Sequence, residues 1–270
     1  MITLFKECFT WLPISQYFKS KQHREYIKLL GKYSAAERFK ATNIKFLEYF
    51  VTVSDCLSFL SQYKDIFVDK TYEFKTSSTE PLIYDCGANY GISCLYFKSI
   101  YPLCKIKAFE ADPAISQLLQ SNIAASGFSN VEIFNKAVWT SSGHIEFGVE
   151  GADGGSINLS SDKKIKVASV RLKDLIESEN KIDMLKIDIE GSETDVIIDC
   201  GDCLNKIDNI FIEYHSWNNS PQKLDAILNV LAGNKFRYYI ATVSQRAIPF
   251  INKCGDLNMD MQLNIFAYKK

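Results

Sequence analysis

Along most of the chain, short apolar runs alternate with stretches whose apolar residues return at helical spacing, and the N-terminal part departs from this rhythm. Residues 21–61 hold no proline and a single glycine, Gly31. Apolar positions such as Phe46, Leu47, Phe50, Val53, Leu57 and Leu60 recur there at mostly helical intervals, which predicts two to four helices within residues 1–78. The polar run Thr76-Ser77-Ser78-Thr79-Glu80-Pro81 is turn-forming and marks the boundary of this segment. Beyond it the pattern predicts strands at 82–86, 104–110, 131–135, 182–188 and 210–215, with helices at 91–100, 113–125, 193–200 and 221–231 between or after them. Strands at 236–243 and 263–268 close the chain.

Strand-helix alternation of this kind predicts a mostly parallel, doubly wound α/β sheet with helices on both faces. Residues 79–270 are then one domain and residues 1–78 a helical N-terminal segment, either a lid over a cofactor pocket or the surface of a homodimer. Residues 141–175 interrupt the alternation. Strand-like runs at 143–150 and 166–171 flank a Gly/Ser-rich stretch, 151–162, an insertion placed to act as a lid or acceptor-binding element.

Composition changes this picture little. A 270-residue chain with 47% apolar and 23% charged residues is an ordinary globular one. Its formal net charge of -1 gives no reason to expect a nucleic-acid partner. Residues 1–13 are apolar but interrupted by Lys6 and Glu7, too short and too charged for a transmembrane helix, so a cytoplasmic location is expected. Cys200 and Cys203 form a lone C-x-x-C without a second pair to complete a metal set, and read as core residues.

The first candidate chemistry lies where the first strand of the sheet turns into its helix, at Asp85-Cys86-Gly87-Ala88-Asn89-Tyr90-Gly91. Ligands of doubly wound sheets collect at such strand ends. Gly87 and Gly91 let backbone approach a ligand closely. A dinucleotide fingerprint would carry a middle glycine where Asn89 stands. Asp85 before the turn suits an ammonium better than a pyrophosphate, which favours S-adenosylmethionine as the ligand. Glu110 ends the second strand, where a carboxylate can accept both ribose hydroxyls. Ala111 follows it, and Lys136 and Ala137 after the third strand could frame an adenine.

These segments, with Phe109-Glu110-Ala111-Asp112-Pro113, Lys136-Ala137-Val138, the run from Leu185 through Lys186-Ile187-Asp188-Ile189-Glu190-Gly191 to Glu193, and Ile212-Glu213-Tyr214-His215, resemble the FkbM family of methyltransferases over about residues 82–243. The resemblance implies a class I methyltransferase fold: a Rossmann-like seven-stranded sheet of order 3-2-1-4-5-7-6 whose last strand is antiparallel. It also implies O-methylation of a sugar, glycan or other polyhydroxylated small molecule. Residues 1–78 lie outside it.

Methyl transfer from a sulfonium needs an aligned acceptor, and an alcohol benefits from a general base or a metal that acidifies it. Asp188 and Glu190 end the fourth strand, and Glu213 and His215 end the fifth on one face. His215 is the expected base, with Asp188 and Glu190 orienting donor, acceptor or a metal. Asp188, Glu213 and His215 are hard-cation ligand types, but no spacing rule assigns a divalent metal to them. Tyr90, Tyr214 and Trp217 are candidate stacking faces for a sugar, and Ser156 a candidate acceptor contact. Two other classes compete with this reading. One is an NAD-dependent oxidoreductase, which the missing middle glycine disfavours. The other is a non-catalytic cofactor-binding protein, which the acidic and histidine positions disfavour.

Overall fold

A computed structural model describes residues 20–148, 164–243, 245–253 and 259–269. The chain divides into two compact units, Met1–Thr71 and Tyr72–Lys270.

In the first unit, helix α1 (Lys21–Tyr33) starts at Ser20, whose hydroxyl accepts from His23 N at 3.1 Å. Strands β1 (Thr42–Phe46) and β2 (Tyr49–Val53) then form an antiparallel hairpin, followed by helix α2 (Cys56–Tyr63) and a π-helical turn, Lys64–Val68. The hairpin corrects the all-helical expectation for this segment. Ile44, Phe46, Tyr49, Val51 and Val53 are buried while Phe50 is 57% exposed, so the true apolar period is two on each side of a two-residue turn. β-Branched residues at 42, 44 and 51–53 fit that pleat better than a helix. Phe46 sits at the centre of an aromatic core, with the rings of Tyr49, Phe59, Tyr63 and Phe67 5.3–5.6 Å from its own.

In the second unit, β3 (Leu82–Cys86), α3 (Ile92–Ile100), β4 (Lys105–Phe109), α4 (Pro113–Ala125) and β5 (Val131–Phe134) make one half of the main sheet. The other half contains β9 (Ile182–Ile187), α6 (Glu193–Asp199), β10 (Ile207–Trp217), α7 (Leu224–Gly233), β11 (Arg237–Thr242) and β12 (Met259–Tyr268). The strand order is β11-β12-β10-β9-β3-β4-β5. The five strands from β10 to β5 are parallel, and β12 is antiparallel to both its neighbours. This is the order 3-2-1-4-5-7-6 with the last strand reversed: a class I methyltransferase sheet.

All six residues of β9 are buried, as a central strand covered on both faces requires. Between the halves, β6 (Ala137–Trp139), β7 (Gly143–Gly148) and β8 (Lys164–Arg171) form a small second sheet of order β6-β8-β7, which leads into a helix, α5 (Leu172–Ser178), that the pattern did not predict. The Gly/Ser-rich stretch of the insertion, with Ser156, lies outside the described residues. Among those residues, no helix is long and apolar enough to cross a membrane.

The fold's contribution to function is geometric. Parallel strands β3, β4, β9 and β10 all end on one edge of the sheet, and the expected site residues sit in the last residues of these strands or on the turns that follow them, apart from Ala137 in β6.

Candidate functional site

The turn after β3 is held by backbone bonds and by side chains that reach it from neighbouring elements. Gly87 N and Ala88 N donate to Phe109 O at 3.0 and 2.9 Å, tying the turn to the end of β4. Gly87, Asn89 and Gly91 all take positive φ (82°, 48° and 97°). A Cβ on Gly87 would lie 1.7 Å from the carbonyl oxygen of Asp188, so only glycine lets the turns after β3 and β9 touch. Ala88 is buried, and Asn122 secures the turn from α4 by donating to Tyr90 O at 2.9 Å.

Glu110 stands beside this turn, half-buried. One of its oxygens accepts from Asn89 N and the other from Asp112 N, each at 2.9 Å. Burial pushes its carboxyl up to about 7, against the pull of those two N–H groups. Each oxygen keeps a free lone pair, so the carboxylate can still accept from two neighbouring hydroxyls. Asn135 braces the same corner, donating to the carbonyls of Glu110 and Ala111 at 2.9 and 3.2 Å. Lys136 is exposed beside it and Ala137 is buried.

Asp85 is placed differently from the sequence expectation. Its carboxylate is fully buried: Ser93 Oγ donates to it at 2.5 Å, and Lys186 Nζ lies 3.3 Å from the other oxygen. The ammonium beside it in this chain is that of Lys186. Lys186 also donates to Gly87 O at 2.7 Å and lies 3.5 Å from Asp188, bracing the turn from behind. Burial opposes the charge on Lys186, but Asp85 and Asp188 outweigh it and hold its ammonium well above the usual lysine range. The sequence reading missed Lys186. Its signal was a lysine inside the apolar run Met184-Leu185-Lys186-Ile187, on the strand that pairs Lys186 with Asp85.

The ends of β9 and β10 bring the remaining candidates together. The imidazole of His215 is almost fully buried. Its Nδ1 faces Glu193 Oε1 at 3.1 Å, and its Nε2 lies 3.6 Å from Glu190 and 3.8 Å from Glu213. Gln262 on β12 reaches both Glu213 and His215 Nε2. Burial disfavours the imidazolium, yet Glu190, Glu193 and Glu213 overcome it and hold His215 well above its ordinary value. Burial also raises Glu213, to about 8, and Glu190 well above the carboxylate range.

Proton acceptance belongs to the imidazole-carboxylate group as a unit rather than to a lone base. Asp188, Glu213 and His215 each bring one ligating atom within 4.8 Å of the others, a spacing that one divalent cation can span.

Three expected stacking faces fare unequally. Tyr90 and Tyr214 are buried core residues, the latter accepting from Lys223 N at 2.9 Å, whereas Trp217 stays half-buried at the end of β10. Cys200 and Cys203 are buried free thiols, as core residues should be.

Residues 85–238 match the methyltransferase FkbM domain. The chain is 29% identical over 177 residues to methyltransferase sdnD of Sordaria araneosa, covering 50% of this chain and 66% of that protein. It is 28% identical over 175 residues to the 2-O-methyltransferase NoeI of Sinorhizobium fredii, covering 56% and 71%. The chain thus spans about two thirds of the length of these relatives. Among solved structures, the M. jannaschii TYW2 crystal structure in complex with AdoMet aligns over 86% of each chain, with 10% identity and a TM-score of 0.47.

Proposed function

The chain belongs to the FkbM methyltransferase family, and from that membership we propose that it moves the methyl group of S-adenosylmethionine to a hydroxyl of a sugar, glycan or other polyhydroxylated small molecule. The observation that carries this reading is the direct approach of Gly87 to Asp188. It puts the turn that would hold the donor against the turn that carries Asp188 and Glu190, beside His215.

The residues fit that donor. Glu110 keeps two free lone pairs for a ribose, and positive-φ residues leave the turn beside it without bulk. Bound S-adenosylmethionine would supply a methyl already activated by a sulfonium, so the chain has mainly to align the acceptor oxygen with it. Alignment of this kind contributes roughly 7–11 kcal/mol in favourable cases. The cluster of His215, Glu190 and Glu213 would take up the proton that the acceptor hydroxyl gives up on methylation. General-base assistance typically contributes about 10²–10⁴-fold. Support for oxygen as the acceptor comes from the relative named a 2-O-methyltransferase.

Isothermal calorimetry with S-adenosylhomocysteine tests the donor half: binding is expected, weakened at least tenfold by Glu110→Ala. Labelled methyl transfer to a panel of sugars and glycans tests the acceptor half. No heat of binding would end the reading, and methylation of amines but not hydroxyls would end its acceptor class.

The spacing of Asp188, Glu213 and His215 favours one addition, a divalent cation held by these three that would lower the pKa of an acceptor hydroxyl. Titration with Mn²⁺ followed by electron paramagnetic resonance checks it; an unchanged free-ion signal at millimolar protein would remove it.

A further inference from the structure

Glu193 occupies the first turn of α6, yet its carboxylate serves nothing in that helix. Oε1 accepts from Ile189 N at 3.2 Å and Gly191 N at 2.9 Å, and Oε2 accepts from Gly191 N at 3.0 Å. The same Oε1 faces His215 Nδ1 at 3.1 Å. Both side chains are 1% exposed. A capping residue would instead bond forward to N–H groups of its own helix, and Ser192, the residue at the cap position, makes no such side-chain bond.

The turn that Glu193 grips is strained. Glu190 and Gly191 both take positive φ, 58° and 101°, and Glu190 carries a side chain there. That turn carries Asp188 and Glu190. One buried carboxylate therefore sets both where these two acids point and which way the imidazole faces. With Nδ1 facing Glu193, Nε2 is left towards Glu190, Glu213 and Gln262.

We propose that Glu193 is a positioning residue for methyl transfer, locking the turn 189–191 and the imidazole of His215 into one unit. It acts through His215 and touches no substrate. The part of this proposal that concerns turnover rests on the methyltransferase reading above; the part that concerns the imidazole does not.

The chain has three histidines, His23, His144 and His215, so ¹⁵N-histidine NMR resolves each ring. The wild-type protein should show a slowly exchanging, downfield Nδ1–H proton from His215. Glu193→Gln keeps the oxygen at the same reach and should retain that proton with an upfield shift. Glu193→Asp keeps the charge but draws it back by one methylene, and should lose it. Glu190→Gln and Glu213→Gln should leave it in place. A proton that survives Glu193→Asp, or disappears in Glu190→Gln or Glu213→Gln while Glu193 is intact, would overturn the assignment.

In turnover, Glu193→Asp should lose on the order of 30–100-fold in kcat with donor KM within about threefold, and Glu193→Gln should recover to within about fivefold of wild type. Adding Glu193→Asp to His215→Ala should cost nothing further, the non-additivity expected when one residue acts through another. Full additivity, or a Glu193→Gln variant no better than Glu193→Asp, would reduce Glu193 to a structural residue. A wild-type protein that binds no S-adenosylhomocysteine yet shows the NMR pattern would sink the methyltransferase reading while keeping the imidazole lock.

Discussion

At the ends of β3 and β4 the site is made of backbone: positive-φ turns, N–H groups spent on Phe109 O and Glu110, and one buried ion pair behind them. At the ends of β9 and β10 it is made of charged side chains, with Glu190, Glu193 and Glu213 crowded around one imidazole. The first region leaves little to be rearranged when a ligand arrives. The second is a poorly solvated pocket, where burial first and neighbouring acids second raise Glu213 and Glu190, and where those acids raise His215 against its own burial. Holding a donor calls for fixed, mostly neutral groups, whereas accepting a proton calls for groups whose charge can change.

The contrast can be broken most severely at Gly87. Gly87→Ala forces a Cβ into the Asp188 carbonyl at a positive φ, and should cost about 4 kcal/mol or more. Thermal unfolding should show a soluble variant melting far below wild type, or no soluble protein at all; an unchanged melting point would deny that the two turns touch.

His215→Ala comes next. It should lower kcat by about 10²–10⁴-fold while S-adenosylhomocysteine affinity stays within threefold, because the donor side does not depend on the imidazole. Equal losses in turnover and donor affinity would erase the division between the regions.

Asp85→Asn removes the fully buried partner of Lys186 and leaves it Asp188 alone as a charged neighbour, an expected loss of about 3 kcal/mol in urea unfolding. Donor affinity should fall only in step with stability. A stable variant that had lost affinity selectively would restore direct contact between Asp85 and the ligand.

The smallest effect belongs to Glu110 and depends on pH. Its folded pKa of about 7 lies above the ordinary carboxylate value, so the folded state binds the proton more tightly than the unfolded one. The associated stability is fully present below about pH 4.5 and is lost as pH rises through about 7. Glu110→Gln should therefore melt at or above wild type at pH 8 and lose that relative gain by pH 4.5. Donor affinity in wild type should weaken as pH falls below 7, since a protonated carboxyl has less acceptor capacity, and Glu110→Gln should flatten that slope. A wild-type affinity independent of pH from 5.5 to 8 would contradict the assignment.

Much of this was legible before any coordinates. Periodicity distinguished the β-α alternation after residue 81, because a short, mostly apolar run such as Ile182–Ile187 reads as a covered strand although Asp183 and Lys186 interrupt it, and a covering helix shows apolar residues on one face alone. Glycine at 87 and 91 marked a turn with unusual dihedrals. The hairpin at residues 42–53 was misread because Phe46, Leu47, Phe50 and Val53 satisfy a helical period by chance, and only pairing across the turn shows which of them face inward. Glu193 was passed over because a glutamate opening a helix is the commonest of surface residues, and nothing local tells that this one points back.

The chain's order of residues thus determined the layered α/β sheet, the glycine turn and the presence of acids at four strand ends, since those depend on spacing along one segment. Tertiary structure alone decided that Asp85 is neutralised by Lys186, that Glu193 faces His215, and that Asp188, Glu213 and His215 converge. Each of these joins residues on different strands or turns, and the raised pKa values of Lys186, Glu213 and His215 follow from burial and neighbouring charge, which exist only once the strands are side by side.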